Sequence, residues 1–158
     1  MQTYEGRPTP LLDAVLFASR ALVAVAARSL SDIDEEVTLA QYRTLVVLAS
    51  RGPQNLNSLA EAIGVTPATA TRMCDRLVTK DVIVRETDVD DRRTIRIDLT
   101  TKGRRLVNDV TQRRRKEIGA ILKSISPTDQ VIFATALSRF AAAAGEVPEQ
   151  DWSTGWDL

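Results

Sequence analysis

TPATATRMCDRLVTKDVIVRETDVDDRRTIRIDLTTKG, residues 66–103, changes its hydrophobic period once, and that change predicts the fold. Thr66 is a capping residue and Pro67 the residue best tolerated at the first helical position, so a helix starts here and runs to about Lys80. Ala70, Met73, Cys74, Leu77 and Val78 share one face of it, leaving Thr69, Thr71, Arg72, Asp75, Arg76 and Thr79 outward. The period then drops from about 3.6 to about 2. Val82 and Val84 alternate with Ile83 and Arg85, and Ile95, Ile97 and Leu99 alternate with Thr94, Arg96 and Asp98. These runs predict two strands of a hairpin. Between them, Asp88-Val89-Asp90-Asp91-Arg92-Arg93 is too polar for a core and long enough for an exposed tip.

Upstream, Asn57 to Gly64 reads as a two-turn helix, with Ser58 and Glu61 at capping-box spacing and Asn55 or Asn57 as alternative caps. Gly64 suits its C-terminal turn. Before it, Thr38 stands in N-cap position for Leu39 to Ser50, whose apolar face is Tyr42, Leu45, Val46 and Ala49, and Gly52-Pro53 stops that helix. Asp32 to Glu36 reads as an acidic break. Pro10 to about Leu30 has apolar residues at helix spacing in a stripe wide enough for burial on more than one side. Downstream, Thr100 or Thr101 can cap a long helix from about Lys102 to Ile125, and Ser126-Pro127-Thr128-Asp129 starts another that ends near Gly145.

A short helix, a tight turn, a helix and a hairpin with a basic tip make a winged helix-turn-helix. The outward face of the second helix, with Pro67, Ala68, Thr69, Thr71, Arg72 and Arg76, carries small, hydroxylic and cationic groups suited to a major groove about 12 Å wide. Hydroxyls and methyls read base edges; arginine takes guanine or phosphate. Arg92 and Arg93 at the tip stand where a wing reaches the adjacent minor groove.

Charge supports the same partner. The chain is neutral overall, yet residues 67–116 hold fourteen basic against eight acidic side chains, between flanks that are net acidic. A compact basic block between acidic flanks suggests a local contact with a polyanion, here double-stranded DNA. The sequence has no histidine and one cysteine, which sets aside the common zinc sites, internal disulfides and imidazole-based catalysis. The dense carboxylates lie in the acidic break and the wing tip, so neither an enzyme nor a cofactor or metal site is expected. Arg20 and Arg28 interrupt the longest apolar run, and no basic segment precedes it, so the expectation is a cytoplasmic protein with no membrane span.

The flanking stripes, Leu11 to Leu30 and Val131 to Ala144, are larger than one lobe requires, and dimerisation accounts for them economically. The expected architecture is a mainly α, α+β fold in a single domain over 1–158. It comprises a winged-helix DNA-binding lobe at 38–100, dimerisation helices at 10–31 and 102–145, and a C-terminal tail at 146–158 containing Trp152 and Trp156. A two-fold dimer presents two reading helices and predicts a pseudo-palindromic operator.

Thr71 to Val78, the tip from Asp88 to Arg93, and Leu99-Thr100-Thr101-Lys102-Gly103 together resemble the MarR family of bacterial transcriptional regulators. The resemblance covers the element order from Leu11 to Ala144, and departs from the family at Val89, where proline is frequent. It implies a homodimer, usually a repressor, often released by a small anionic or phenolic effector. It also implies that Arg93 is the minor-groove arginine and Asp91 its orienting partner. The alternative function is a winged helix that binds protein instead of DNA.

Three further features have ordinary readings. Cys74 lies on an apolar helix face and reads as core. Arg113 to Lys116 point around their helix and read as solvated. A crevice around Phe17, Arg20, Tyr42 and Arg43 would suit a planar anion, unless the arginines pair with neighbours such as Asp13 or Glu36.

Overall fold

The computed structural model describes residues 10–31, 33 and 37–152. In chain order the elements are α1 (Pro10–Ser31), α2 (Leu39–Arg51), α3 (Leu56–Ile63), α4 (Pro67–Thr79), β1 (Ile83–Thr87), β2 (Ile95–Leu99), α5 (Thr101–Leu122) and α6 (Pro127–Ala143), followed by a 3₁₀ turn at Glu149–Asp151. The expected mainly α, winged-helix class is the one observed.

Most helix starts follow from local chemistry. Thr38 and Gln41 form a reciprocal capping box at the head of α2, and the Thr66, Thr100 and Ser126 hydroxyls cap α4, α5 and α6. At α3 the cap is Asn55, whose side chain accepts the Ser58 amide at 2.9 Å. The Ser58–Glu61 capping box is therefore not formed, and the helix starts at Leu56. Asn55 wins because it is already extended, with ψ near 165°, as a cap must be. Helix α5 stops at Leu122, short of Ile125, in a tightened turn ahead of Pro127, which disfavours helical backbone at Ser126.

The core is built by α2, α3, α4, the hairpin and the first half of α5, around Leu45, Leu48, Leu59, Leu77, Ile97 and Val110. The hairpin pairs Ile83 with Leu99 through Thr87 with Ile95, antiparallel, and Gln54 bridges Ile97 with bonds of 3.0 and 2.8 Å. The alternation expected for β1 is not realised. Val82 and Ile83 are both buried, and exposure then rises along the strand toward the tip. Only the base of the hairpin touches the core, so depth along the strand outweighs the side a residue faces.

Helix α1 is mostly uncovered in the single chain. Val25, Ala26 and Ser29 are its buried residues, where it packs on α5 and α2, while Leu11, Leu16 and Phe17 are exposed. By length and composition it is apolar enough to cross a membrane, so Arg20 and Arg28 do not by themselves exclude a span. Its C-terminal third is engaged with protein, since Arg28 pairs with Glu117 of α5. Helix α6 has no buried residue. After it the chain returns to the lobe: Glu146 accepts two bonds from Arg43 of α2 at 2.9 and 2.7 Å, Glu149 pairs with Arg115, and Trp152 packs against the core. Trp156 and most of the acidic break, including Glu36, lie outside the described residues.

Candidate nucleic-acid interface

The turn between α3 and α4 is set by Gly64, left-handed at φ 72°, and Val65 closes it by donating its amide to Ala60 at 3.0 Å. Helix α4 is anchored by Ala70, Cys74 and Leu77, all fully buried. That anchoring turns Pro67, Ala68, Arg72 and Arg76 to solvent. Thr69 and Thr71 are half-buried, and their hydroxyls are engaged, with Thr66 at 3.0 Å and with the Pro67 carbonyl at 2.9 Å. Thr69 accepts and keeps its own O–H, Thr71 donates and keeps its lone pairs, and both methyls remain for further contacts.

Two aspartates shape the wing tip. Asp88 accepts the Asp90 amide at 2.8 Å and the Arg96 guanidinium at 2.6 Å, and these contacts, the backbone amide first, hold its carboxyl below the usual range. Asp91 accepts the Arg93 amide and the Thr94 hydroxyl, both at 3.0 Å. The contact of Asp91 with Arg93 is thus made to the backbone. Asp88 was not singled out from the sequence as a functional residue. Its signal there is the aspartate at a turn start, whose carboxylate characteristically bonds an amide two residues on.

The arginines fall into two groups. Arg85 pairs with Asp75 at 2.6 Å, Arg96 with Asp88, and Arg104 with Asp98 at 3.3 Å. Arg72, Arg76, Arg92 and Arg93 are exposed, and among the described residues no carboxylate pairs with any of them. Of the seven arginines from Arg72 to Arg104, those left over are on the outward face of α4 and at the tip of the wing. In the Arg113 to Lys116 run, Arg114 turns inward toward Tyr42, Arg115 pairs with Glu149, and Arg113 and Lys116 are exposed, as consecutive helical positions require.

The crevice expected around Phe17, Arg20, Tyr42 and Arg43 is not assembled. Tyr42 is buried with its hydroxyl 3.4 Å from Thr111, Arg43 is bound to Glu146, and Phe17 and Arg20 face outward on α1. Their spacing on each helix is right, but α2 presents Tyr42 to the core. Among the described residues, open grooves lie elsewhere. One, of about 480 Å³, is lined by Arg28, Ser29, Arg113 and Glu117 between α1 and α5. Another, of about 550 Å³, runs along Leu30, Ile33, Val37 and Leu39 to Lys80.

Cys74 is fully buried, and burial pushes its thiol up, with Arg85 only partly offsetting it. Oxidation needs an accessible thiolate. Peroxide should therefore leave DNA binding by the native protein unchanged and equal to that of Cys74→Ala. A loss that the alanine variant escapes, measured by anisotropy of labelled DNA, would make Cys74 a switch.

Residues 37–95 match the sequence model of the MarR family. The HTH-type transcriptional repressor MdtR of Bacillus subtilis is 29% identical over 119 residues, 75% of this chain and 77% of that protein. The HTH-type transcriptional regulator YhbI of the same organism is 30% identical over 115 residues, 70% and 74% of the two chains. The crystal structure of RV1404 from Mycobacterium tuberculosis superposes with a TM-score of 0.82 at 42% identity, covering 87% of this chain and 94% of that one.

Proposed function

Because this chain belongs to the MarR family and carries the DNA-binding winged helix of a transcriptional regulator, we propose that it is a cytoplasmic, homodimeric repressor of a pseudo-palindromic operator. The observation that carries this reading is the sorting of the arginines. Among the arginines from Arg72 to Arg104, ion pairing engages Arg85, Arg96 and Arg104 and leaves Arg72, Arg76, Arg92 and Arg93 for phosphates and base edges. Pro67, Ala68, Thr69, Thr71, Arg72 and Arg76 read the major groove. Arg93 enters the minor groove, Arg92 contacts the backbone beside it, and Asp91 holds the tip in shape.

The dimer follows from the apolar surface. Leu11, Leu16 and Phe17 of α1 and Val131, Ile132 and Phe140 of α6 are all more than half exposed in the single chain, and exposed apolar side chains of this kind mark an interaction face. A two-fold pair would place its recognition helices about one helical turn apart on DNA, roughly 34–36 Å. Similarity to MdtR, a repressor by name, supports the direction of control. Gel retardation of fragments flanking its own gene, with competitor present, tests the function. A specific fragment should be retarded; retardation of none would leave the winged helix as a protein-binding module.

The effector site of this reading is the groove between α1 and α5. Arg28 and Arg113 offer two guanidinium groups there against one carboxylate, Glu117, which an anionic ligand would displace from Arg28. Such a ligand must bind free protein more tightly than operator-bound protein, with a coupling of about 1–3 kcal/mol, and operator must weaken the ligand equally. Titration of salicylate by calorimetry, with and without operator, should show that difference. Equal affinities would mean that such a ligand regulates nothing.

A further inference from the structure

The turn that leaves the recognition helix is held by the segment that enters α5. After α4, Lys80 ends the helix and Asp81 takes a left-handed conformation, φ 58°, that reverses the chain into β1. Asp81 and Val82 return their amides to Val78 and Leu77 at 2.9 and 3.2 Å. The carbonyls of Lys80, Asp81 and Val82 follow directly, and backbone acceptors in such a reversal need partners. Residues 100–102 supply all three. Lys102 Nζ donates to the Lys80 carbonyl at 2.9 Å, the Thr100 hydroxyl to that of Asp81 at 2.6 Å, and the Thr100 amide to that of Val82 at 3.2 Å.

The same Thr100 oxygen accepts the Gly103 amide at 3.0 Å and so also caps α5. One hydroxyl thus ties the start of α5 to the end of α4. Gly103 completes the contact, because a Cβ there would lie 2.0 Å from the Val82 carbonyl oxygen, a distance at which backbone must move. The ammonium of Lys102 sits at the negative end of α4, where a cation is favoured. Three consecutive carbonyls, one shared hydroxyl and a glycine approach make this junction a rigid joint rather than a loop.

We propose that Thr100, Lys102 and Gly103 are positioning residues for DNA recognition: they lock the recognition helix to α5 and thereby fix the separation of the two reading heads in the dimer. The inference rests on the homodimeric reading above, in which α5 continues into the dimerisation half of each protomer. Movement of α5 is then transmitted to α4 through the joint without slack, and the operator spacing is a property of residues that do not themselves read a base.

The test uses the half-site that the full-length native protein selects from a random duplex library, rebuilt as inverted repeats re-spaced in single base-pair steps. The native protein should favour one spacing by roughly tenfold over its neighbours, and Lys102→Met and Thr100→Asp should flatten this to about twofold or move the optimum. Thr100→Asp keeps an acceptor for the Gly103 amide and loses the donor to Asp81, whereas Thr100→Ser keeps both and should retain the native optimum. Thermal unfolding and sedimentation confirm that each variant is folded and dimeric, and Lys102→Met serves if Thr100→Asp does not fold. A lower affinity that is uniform over all spacings, with the optimum unchanged, overturns the joint while leaving DNA binding intact. A native protein with no spacing preference overturns the two-headed reading and the joint together.

Discussion

Deletion of residues 131–158 should abolish the dimer and operator binding together. Among the described residues of α6 the side chains of Val131, Ile132, Phe133, Leu137 and Phe140 are 69%, 65%, 41%, 40% and 58% exposed in the single chain. Covering a large apolar side chain is worth about 1.5–3 kcal/mol. Five such side chains on each protomer, with the exposed part of α1, offset the roughly 4–15 kcal/mol that association costs in lost translational and rotational freedom. Without α6 those five side chains contribute nothing to association. A single winged helix then makes half of the phosphate and base contacts, so operator affinity falls with the dimer. Because the deletion also removes Trp152 and its packing against the core, Phe140→Asp is the companion variant. It places a charge on the same exposed surface and leaves the return segment whole. Sedimentation at micromolar concentration checks both. A deletion variant and a Phe140→Asp protein that both remain dimeric would place the interface on another face.

Arg93→Ala and Arg72→Ala should each weaken operator binding by about 1–3 kcal/mol, a loss of roughly 5- to 150-fold, without unfolding the protein. The two residues stand on different elements and share no partner, so the double variant should lose close to the sum of the two. The expected effects differ in kind. Arg72→Ala removes a contact in the major groove and should relax the preference at one position of each half-site. Arg93→Ala removes a minor-groove contact and should cost most on narrow A·T-rich flanks. Arg85→Ala is the contrasting control, since its guanidinium is held by Asp75, and its loss should change affinity little. Anisotropy titrations at two salt concentrations separate these outcomes, because each lost phosphate contact also flattens the salt dependence. Two variants that bind as tightly as the native protein would show that neither α4 nor the wing reads the operator.

How far the sequence reaches depends on the range of the forces it encodes. Helix starts are decided within about four residues, by a hydroxyl or amide reaching the next turn. For that reason Thr38, Thr66 with Pro67, and Ser126 could be placed from the string of letters, and the cap of α5 narrowed to Thr100 or Thr101. The change of period after Lys80 is equally local and sufficed for the winged helix, and residues 66–103 carried the family resemblance. Even at this range two caps can compete: Asn55 and Ser58 both suit the head of α3, and the backbone conformation at Asn55 decided between them.

The remainder was set by elements distant in sequence. Arg28 with Glu117, Arg43 with Glu146 and Arg115 with Glu149 are pairs between residues 89, 103 and 34 positions apart, and no spacing rule reaches that far. The expected anion crevice failed for this reason, because Tyr42 turned out to serve the core and Arg43 the returning chain. Burial along β1 likewise depends on how deep the hairpin is seated, which alternation cannot express. The sequence by itself determined the fold, the family and the basic block. Which arginines stay unpaired at the surface, and that residues 100–103 clasp the end of the recognition helix, only the tertiary structure decided, because a charge or a hydrogen bond is satisfied by whatever packing brings within about 3 Å.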